Sequence, residues 1–210
     1  MNRKEWLELR KKGIGASDAS AIVGMNPYKT NVELWEEKTG RREPEDISYK
    51  PCVRYGIDAE RPLRELFALD YPQYEVKYNE FDMRYHHEYP FIFATLDGDL
   101  NEKETGRKGI LEVKTTEILR SMQYENWKDK IPENYYIQVL HQLLSTGYDF
   151  AILKAQLKTD YSGEVRLNTR HYVIERADVE EDISFLLAEE IRFWEYRQTN
   201  KRPPLKLPPL

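Results

Sequence analysis

The feature that most constrains the fold is a short apolar strand pattern that carries two opposite charges. Residues 109–115 read Gly-Ile-Leu-Glu-Val-Lys-Thr. Side chains alternate between the two faces of a strand, so Glu112 and Lys114 share one face while Val113 points into the core. A carboxylate and an ammonium within an apolar sheet are costly unless partners surround them. If the sheet is buried, the fold has to supply those partners. The alternative is that Glu112 and Lys114 form an ordinary solvent-facing ion pair.

A second carboxylate follows the preceding apolar segment. Residues 91–95 are mostly apolar and lead into a turn that contains Asp97. We expect a hairpin to bring Asp97 beside Glu112 and Lys114. Two carboxylates next to a lysine form a site for a hard divalent cation, and such sites are typical of the hydrolysis of phosphodiesters.

The composition is that of a globular domain. The chain has 210 residues, of which 40% are hydrophobic and 33% charged, and its net charge is −5. This balance argues against a lysine-covered surface that binds nucleic acid diffusely, but it does not exclude an enzyme that binds nucleic acid in a local basic groove. The single cysteine, Cys52, excludes an internal disulfide and a cysteine-ligated zinc or iron–sulfur centre. Because no apolar leader or membrane-spanning run is present, we expect a cytoplasmic protein with no membrane partner.

Periodicity and turn residues predict one α/β (α+β) domain over residues 1–200, with a mixed central sheet flanked by helices. Pro62 lies within a predicted long helix, where it is expected to cause a kink or a late start. Ser17 follows a small-residue turn and is expected to cap the second helix. The proline-rich residues 201–210 are expected to form an extended tail, which is either a frayed terminus or a segment that docks on a neighbouring subunit. Predicted helices span 3–12, 17–23, 31–38, 53–69, 134–145 and 178–197; predicted strands span 74–78, 81–86, 91–95, 110–115, 150–157 and 165–174; and 101–108 is predicted to be a polar hairpin tip.

The chain resembles a known family at several ordered positions. Asp97 and the Glu112-Val113-Lys114 strand resemble the core of the PD-(D/E)XK nucleases. The agreement extends to the YqaJ-type viral recombinases, the family of the bacteriophage lambda exonuclease, and covers roughly residues 5–157. The other segments that carry the resemblance are 10–19, 24–28, 55–62 and 136–139. The resemblance implies a restriction-endonuclease-like core.

The resemblance also implies roles for individual residues. Asp97, Glu112 and the Val113 carbonyl would be metal ligands, with Glu60 as a further metal-associated carboxylate. Lys114 would be the catalytic lysine. Gln138 would be a catalytic glutamine, and Gln142 is the alternative for that role. Arg10 and Ser17 would form a pocket for the 5′-phosphate of DNA, in which Lys11 or Lys12 could take the place of Arg10.

The function implied by the resemblance is a Mg²⁺-dependent double-strand DNA exonuclease that works 5′ to 3′ and leaves 3′ overhangs for recombination. Two Mg²⁺ ions are expected, with Mn²⁺ as a substitute, because all the ligands are oxygens. The implied partners are duplex DNA ends, a single-strand annealing protein and two further copies of the chain in a homotrimer, in a bacterial or phage-infected cell. The alternatives are an endonuclease of restriction or repair type and a non-catalytic DNA-binding module on the same fold.

Overall fold

The computed structural model describes the backbone of residues 1–208, and the side chains of these residues except Ser121 and Tyr161. The last two residues of the predicted tail, Pro209 and Leu210, lie outside the described residues. The helices are α1 (Arg3–Arg10), α2 (Ala16–Ile22), α3 (Asn31–Lys38), α4 (Pro51–Asp70), α5 (Ser121–Glu125), α6 (Glu133–Thr146) and α7 (Glu180–Gln198). The strands are β1 (Ile14–Gly15), β2 (Tyr74–Lys77), β3 (Arg84–Tyr85), β4 (Ile92–Ala94), β5 (Gly98–Glu102), β6 (Lys108–Glu117), β7 (Phe150–Tyr161) and β8 (Glu164–Glu175).

The main sheet has five strands in the order β2-β5-β6-β7-β8. Strand β6 pairs in parallel with β7, whereas the other three pairings are antiparallel. The predicted mixed central sheet is therefore confirmed. Its middle strand, β6, is the apolar strand that the sequence singles out, and both of its edges are covered by neighbouring strands. This position explains why the strand can be apolar on both faces.

Helices cover the two faces of this sheet, and the alternation of β6 decides which residue meets which helix. Leu111 and Val113 pack with Leu63 and Phe67 of α4 in one apolar cluster. Ile110 belongs to the opposite cluster, which includes the buried face of α6. Glu112 and Lys114, being even-numbered like Ile110, therefore lie on the α6 face.

A small second sheet was not expected from the sequence. It has the order β1-β4-β3, with β1 parallel to β4. The segment predicted as a turn at 13–16 thus contributes a strand and the start of α2. A side chain at Gly13 would meet the Phe91 carbonyl oxygen at 2.5 Å, so the close approach of this backbone to β4 requires glycine.

Several other predictions need correction. Helix α4 begins at Pro51 and runs through Pro62, so the late start is wrong. Strand β5 occupies residues for which the sequence predicts a turn and part of a polar hairpin tip, because its pairing with both β2 and β6 outweighs its polar composition. Helix α5 and the two-residue length of β3 were also not foreseen.

The described part of the C-terminal tail contains neither helix nor strand, yet it is not free. Asn31 donates from Nδ2 to the Pro204 carbonyl at 2.8 Å and accepts the Lys206 amide on Oδ1 at 3.0 Å. Pro203 is buried, and the Lys206 ammonium pairs with Glu189 of α7. The tail therefore packs on its own chain, which the sequence did not suggest. In the part of the chain that the structure describes, we find no helix with the length and hydropathy needed to cross a membrane.

Candidate active site

The site is built around Glu112, a carboxylate in the middle of β6 that is only 2% exposed. Its Oε1 atom lies 2.5 Å from the Lys114 ammonium and accepts the Gln138 side-chain amide at 2.5 Å. Its Oε2 atom accepts the Gln142 side-chain amide, also at 2.5 Å. The two glutamines are one turn apart on α6, so one helix face presents both amides to the strand. These donors offset the cost of burying the carboxylate.

Lys114 is held on the same face by charge and by an aromatic ring. Its Nζ atom lies 5.2 Å from the centroid of the Tyr135 ring at the start of α6. Burial opposes the charged ammonium, but Glu112 and Asp97 outweigh burial and raise the pKa of Lys114. The lysine is therefore a fixed cation beside the carboxylates over the ordinary pH range.

Asp97 lies just before β5, directly across from Glu112. Its Oδ2 atom accepts the Val113 amide at 2.9 Å, and the adjacent register pair is Gly98 with Leu111. The amide and carbonyl of one strand residue point to the same side, so the Val113 carbonyl also faces the open side beyond the end of β5. Burial raises the pKa of Asp97 well above its usual range, and Glu112 and Glu60 raise it further.

Glu60 lies on α4, which packs on the other face of the sheet, and its side chain approaches Asp97 beside the first residue of β5. Its Oε1 atom accepts from Nη1 of Arg64 at 2.9 Å, in an i,i+4 pair. The same Arg64 nitrogen donates to the carbonyl oxygen of Asp97 at 2.7 Å. Sequence reasoning missed Arg64, although its spacing from Glu60 on a predicted helix was a signal that could have identified it.

The donor set matches a hard divalent cation in its chemistry. Burial, and after it repulsion from Glu112 and Glu60, raises the pKa of Asp97, and a divalent cation would relieve that repulsion. Asp97, Glu112 and the Val113 carbonyl all offer oxygen ligands. Within residues 1–208, however, no three His, Cys, Asp or Glu side chains converge closely enough to hold a metal ion. Glu60 is thus near the site but does not complete a carboxylate triad with Asp97 and Glu112.

Arg10 and Ser17, the residues predicted for an end-binding pocket, contact each other directly. Nη2 of Arg10 donates to Oγ of Ser17 at 2.8 Å, and its guanidinium lies 4.6 Å from the Trp6 ring centroid. Ser17 is not the helix cap that was expected, because Gly15 occupies that position and its amide donates to Asp18. An anion at this place would meet the Asp18 carboxylate nearby as well as Arg10.

The structure brings four of the predicted residues into one cluster and sets the end-pocket pair apart from it. The cluster contains Asp97, Glu112, Lys114 and Gln138, and it also contains Gln142, because both glutamine amides donate to Glu112. The end-pocket pair is connected to the cluster through α1, whose Trp6 indole donates to Thr95 Oγ1 at 3.1 Å, two residues before Asp97.

The fold and site together define a class, an α+β protein with the fold of alkaline exonucleases. The chain is similar to the alkaline exonuclease LHK-Exo of Laribacter hongkongensis, with a TM-score of 0.63 and 19% identity over 94% of this chain and 97% of that one. It is also similar to a phage-related exonuclease of Haemophilus somnus 129PT, with a TM-score of 0.56 and 15% identity over 89% and 94% of the two chains. At such low identity these likenesses establish the fold alone.

The chain belongs to the YqaJ-like viral recombinase family, whose model matches residues 5–149. It is 36% identical over 194 residues to the uncharacterized protein YqaJ of Bacillus subtilis (strain 168), a match that covers 92% of this chain and 56% of YqaJ. It is 28% identical over 155 residues to the uncharacterized protein R354 of Acanthamoeba polyphaga mimivirus, covering 70% of this chain and 27% of R354. The chain thus spans about half of YqaJ and about a quarter of R354.

Proposed function

We propose that this chain is a Mg²⁺-dependent exonuclease that degrades one strand of duplex DNA from its 5′ end. The single observation that carries the proposal is the cluster of Asp97, Glu112 and Lys114 at the open side of β6. Family membership and the alkaline-exonuclease fold support the same reaction class. Degradation in this direction leaves 3′ overhangs, which are substrates for a single-strand annealing partner.

Asp97, Glu112 and the Val113 carbonyl would hold the cation, and Mn²⁺ would be an acceptable substitute because the ligands are hard oxygens. Two such ions, when bound, would supply a polarised water and would stabilise the leaving 3′ oxygen. Glu60 is the candidate for a further contact to the metal or to its water.

The chain's own residues would do the rest of the work. Lys114 would orient the attacking water and offset the negative charge that develops on the phosphate. Gln138 and Gln142 keep the Glu112 oxygens in one orientation through their amides, so the carboxylate is arranged before substrate arrives. Arg10 and Ser17 would bind the terminal 5′-phosphate, because a guanidinium offers a forked donor to phosphate oxygens.

Digestion of matched linear and covalently closed circular duplexes tests this proposal. We expect linear DNA to be degraded in Mg²⁺ and not in EDTA, closed circles to resist, and 5′-phosphorylated ends to be preferred over 5′-hydroxyl ends. Cleavage of closed circles would favour the endonuclease alternative. Binding of DNA without any metal-dependent cleavage would favour the non-catalytic module.

A further inference from the structure

We propose that Arg64 is a positioning residue for this site: it fixes the backbone at Asp97 and holds the Glu60 carboxylate in place beside it. The inference rests on the proposed nuclease function for its kinetic consequences. Its structural part, the anchoring of Asp97, stands on contacts within the chain and can be tested without cleavage.

One guanidinium nitrogen makes both of the contacts involved. Nη1 of Arg64 donates to Glu60 Oε1 at 2.9 Å and to the Asp97 carbonyl oxygen at 2.7 Å. The guanidinium carbon lies 3.6 Å from the centroid of the Tyr78 ring, so the plane is fixed from a third direction. Arg64 is only 8% exposed, which excludes water from these contacts and strengthens them.

The position of Arg64 follows from the packing of α4. Leu63 and Phe67 of this helix are buried against Leu111 and Val113 of β6. Arg64 follows Leu63 directly and projects from the edge of that contact toward the start of β5. The guanidinium is therefore carried by a rigid helix and not by a loop.

The contact to Asp97 supplies a donor where the sheet cannot. The antiparallel ladder between β5 and β6 begins at the pair Gly98 and Leu111, so Asp97 lies one residue outside it. Arg64 donates to the carbonyl of Asp97 while Val113 donates to its carboxylate. With both ends of the residue held, the side chain keeps its orientation toward Glu112.

The contact to Glu60 fixes a third carboxylate near Asp97 and Glu112. Asp97 and Glu112 face each other on the open side of β6, and after burial the Glu112 carboxylate is the next largest cause of the raised pKa of Asp97. Glu60 forms an ion pair with the largely buried Arg64 side chain. Arg64 therefore fixes where the Glu60 carboxylate lies relative to Asp97 and compensates part of its charge.

A matched pair of substitutions on α4 tests the proposal. Arg64→Met removes the buried guanidinium while keeping much of its apolar stem. Arg61→Met is the control, because Arg61 lies on the same helix and makes an i,i+4 pair with Glu65, but is exposed. We expect Arg64→Met to lower kcat about 10- to 100-fold with a smaller change in KM, the range found when residues behind a metal site are removed. Arg61→Met is expected to match wild type.

Arg64→Lys is the second variant, and it separates positioning from general loss of structure. Because a single nitrogen makes both contacts, an ammonium can restore part of them, although it loses the stacking on Tyr78. We expect kcat of Arg64→Lys to lie between those of wild type and Arg64→Met. Equal kcat values for Arg64→Met and wild type, or an equal loss in Arg61→Met, would overturn the proposal.

Hydrogen exchange of the Val113 amide provides a readout that does not need DNA cleavage. This amide donates to the Asp97 carboxylate, so a loosened Asp97 should expose it to exchange. We expect faster exchange at Val113 in Arg64→Met and unchanged exchange in Arg61→Met. Unchanged exchange in Arg64→Met would refute the anchoring of Asp97 even in an active enzyme. An inactive wild type with faster exchange in Arg64→Met would instead refute only the nuclease function.

Discussion

At the residue scale, the two facing carboxylates of the site are stabilised very unequally. Glu112 accepts from two glutamine amides and one ammonium, so its negative charge is well compensated. Asp97 accepts one backbone amide on its carboxylate and has two carboxylates nearby, and its pKa is raised by burial and by both of them. The free protein therefore keeps a locally unfavourable arrangement that a bound cation would relieve, as functional sites often do.

Replacing Asp97 should consequently stabilise the metal-free fold. In EDTA, we expect Asp97→Asn to increase the free energy of unfolding by about 1 kcal/mol, because a neutral amide can still accept the Val113 amide without repelling Glu112. Asp99→Asn is the control with the opposite expectation, since Asp99 accepts from Arg84 and Tyr148. Denaturant melts of the three proteins measure the effect, and a destabilised Asp97→Asn would contradict it.

The end pocket makes a separate prediction at the same scale. Removing the guanidinium with Arg10→Ala should reduce the preference for 5′-phosphorylated over 5′-hydroxyl ends by about 10- to 150-fold, since charge-assisted hydrogen bonds contribute roughly 1.5–3 kcal/mol. Initial rates on the two kinds of end measure the preference.

Lys11→Ala and Lys12→Ala are the matched controls for this pocket. Both lysines are exposed on the residues that follow Arg10. A loss of preference confined to either lysine variant would move the pocket away from Arg10, and a wild type without any preference would remove it.

The residues of the site could be predicted from the sequence to an unequal degree. Asp97, Glu112 and Lys114 follow from the alternation of one strand and a neighbouring turn, both of which are local patterns. The joint contact of Gln138 and Gln142 with Glu112 depends on how α6 is placed over β6, which no local pattern specifies. The site could therefore be located from the sequence, but the partners that other elements bring to it could not.

At the scale of elements, α6 is fastened between the small sheet and the last helix by a fully buried histidine. His141 Nδ1 lies 2.6 Å from Glu190 Oε1 of α7, and its Nε2 lies 2.8 Å from the Phe93 carbonyl oxygen of β4. The Phe93 carbonyl and an ionised Glu190 are both hydrogen-bond acceptors, so a protonated His141 donates to both of them. Burial opposes this charge, but Glu190 and the Phe93 carbonyl outweigh burial and raise the pKa of His141, with Asp18 adding to the effect.

Breaking this pair should be strongly destabilising. We expect His141→Gln to lower the free energy of unfolding by about 3–5 kcal/mol at pH 6, because it leaves the Glu190 carboxylate buried without its cation. The exposed His87→Gln is the control and should change stability by less than about 0.5 kcal/mol.

The pH dependence of the difference between wild type and His141→Gln follows from the raised pKa. A histidine whose pKa is raised by folding contributes stability that is fully present below its unfolded value, about 6.5, and that is lost as the pH rises through the folded pKa. The gap in unfolding free energy should therefore shrink toward alkaline pH. A gap that widens with pH would contradict a protonated His141.

Element prediction succeeded where one helix or strand has a clear period of its own. Helix α3, with its cap at Thr30, and the long β7–β8 hairpin appear where they were expected. It failed where pairing with other strands determines the secondary structure. The polar residues of β5 form a strand because β2 and β6 flank it on both sides. Strand β1 failed for the same reason, since Gly13 and its neighbours have turn-like composition until β4 is placed beside them.

At the scale of the whole molecule, the C-terminal tail contacts its own chain, whereas the sequence predicted either a frayed terminus or a segment that docks on a neighbouring subunit. Its contacts to Asn31 and Glu189 lie within the same chain, so it does not need a neighbouring subunit to be ordered. A homotrimer remains a proposal that rests on the family resemblance alone. We therefore assign the described tail to the stability of the domain.

Truncation after Lys201 separates these two roles. We expect light scattering to give a trimer for both the full and the truncated chain, and we expect the truncated chain to lose about 1–3 kcal/mol of unfolding free energy, as a buried proline and two hydrogen bonds are removed. A full-length monomer would refute the trimer. If truncation dissociates the trimer and leaves thermal stability unchanged, the tail contributes to the subunit interface and not to the stability of the domain.

Cleavage by two lysine variants of β6 tests whether the strand face that carries Glu112 and Lys114 cleaves DNA. Lys114→Met removes the buried ammonium beside Glu112, whereas Lys108→Met makes the same change at an exposed position of the same strand. With 5′-phosphorylated linear duplex and Mg²⁺, single-turnover cleavage by folded Lys114→Met should fall by a factor of about 10²–10⁴, and Lys108→Met should match wild type. Near-wild-type cleavage by Lys114→Met with a native circular dichroism spectrum would contradict a catalytic role for Lys114 and this face of β6.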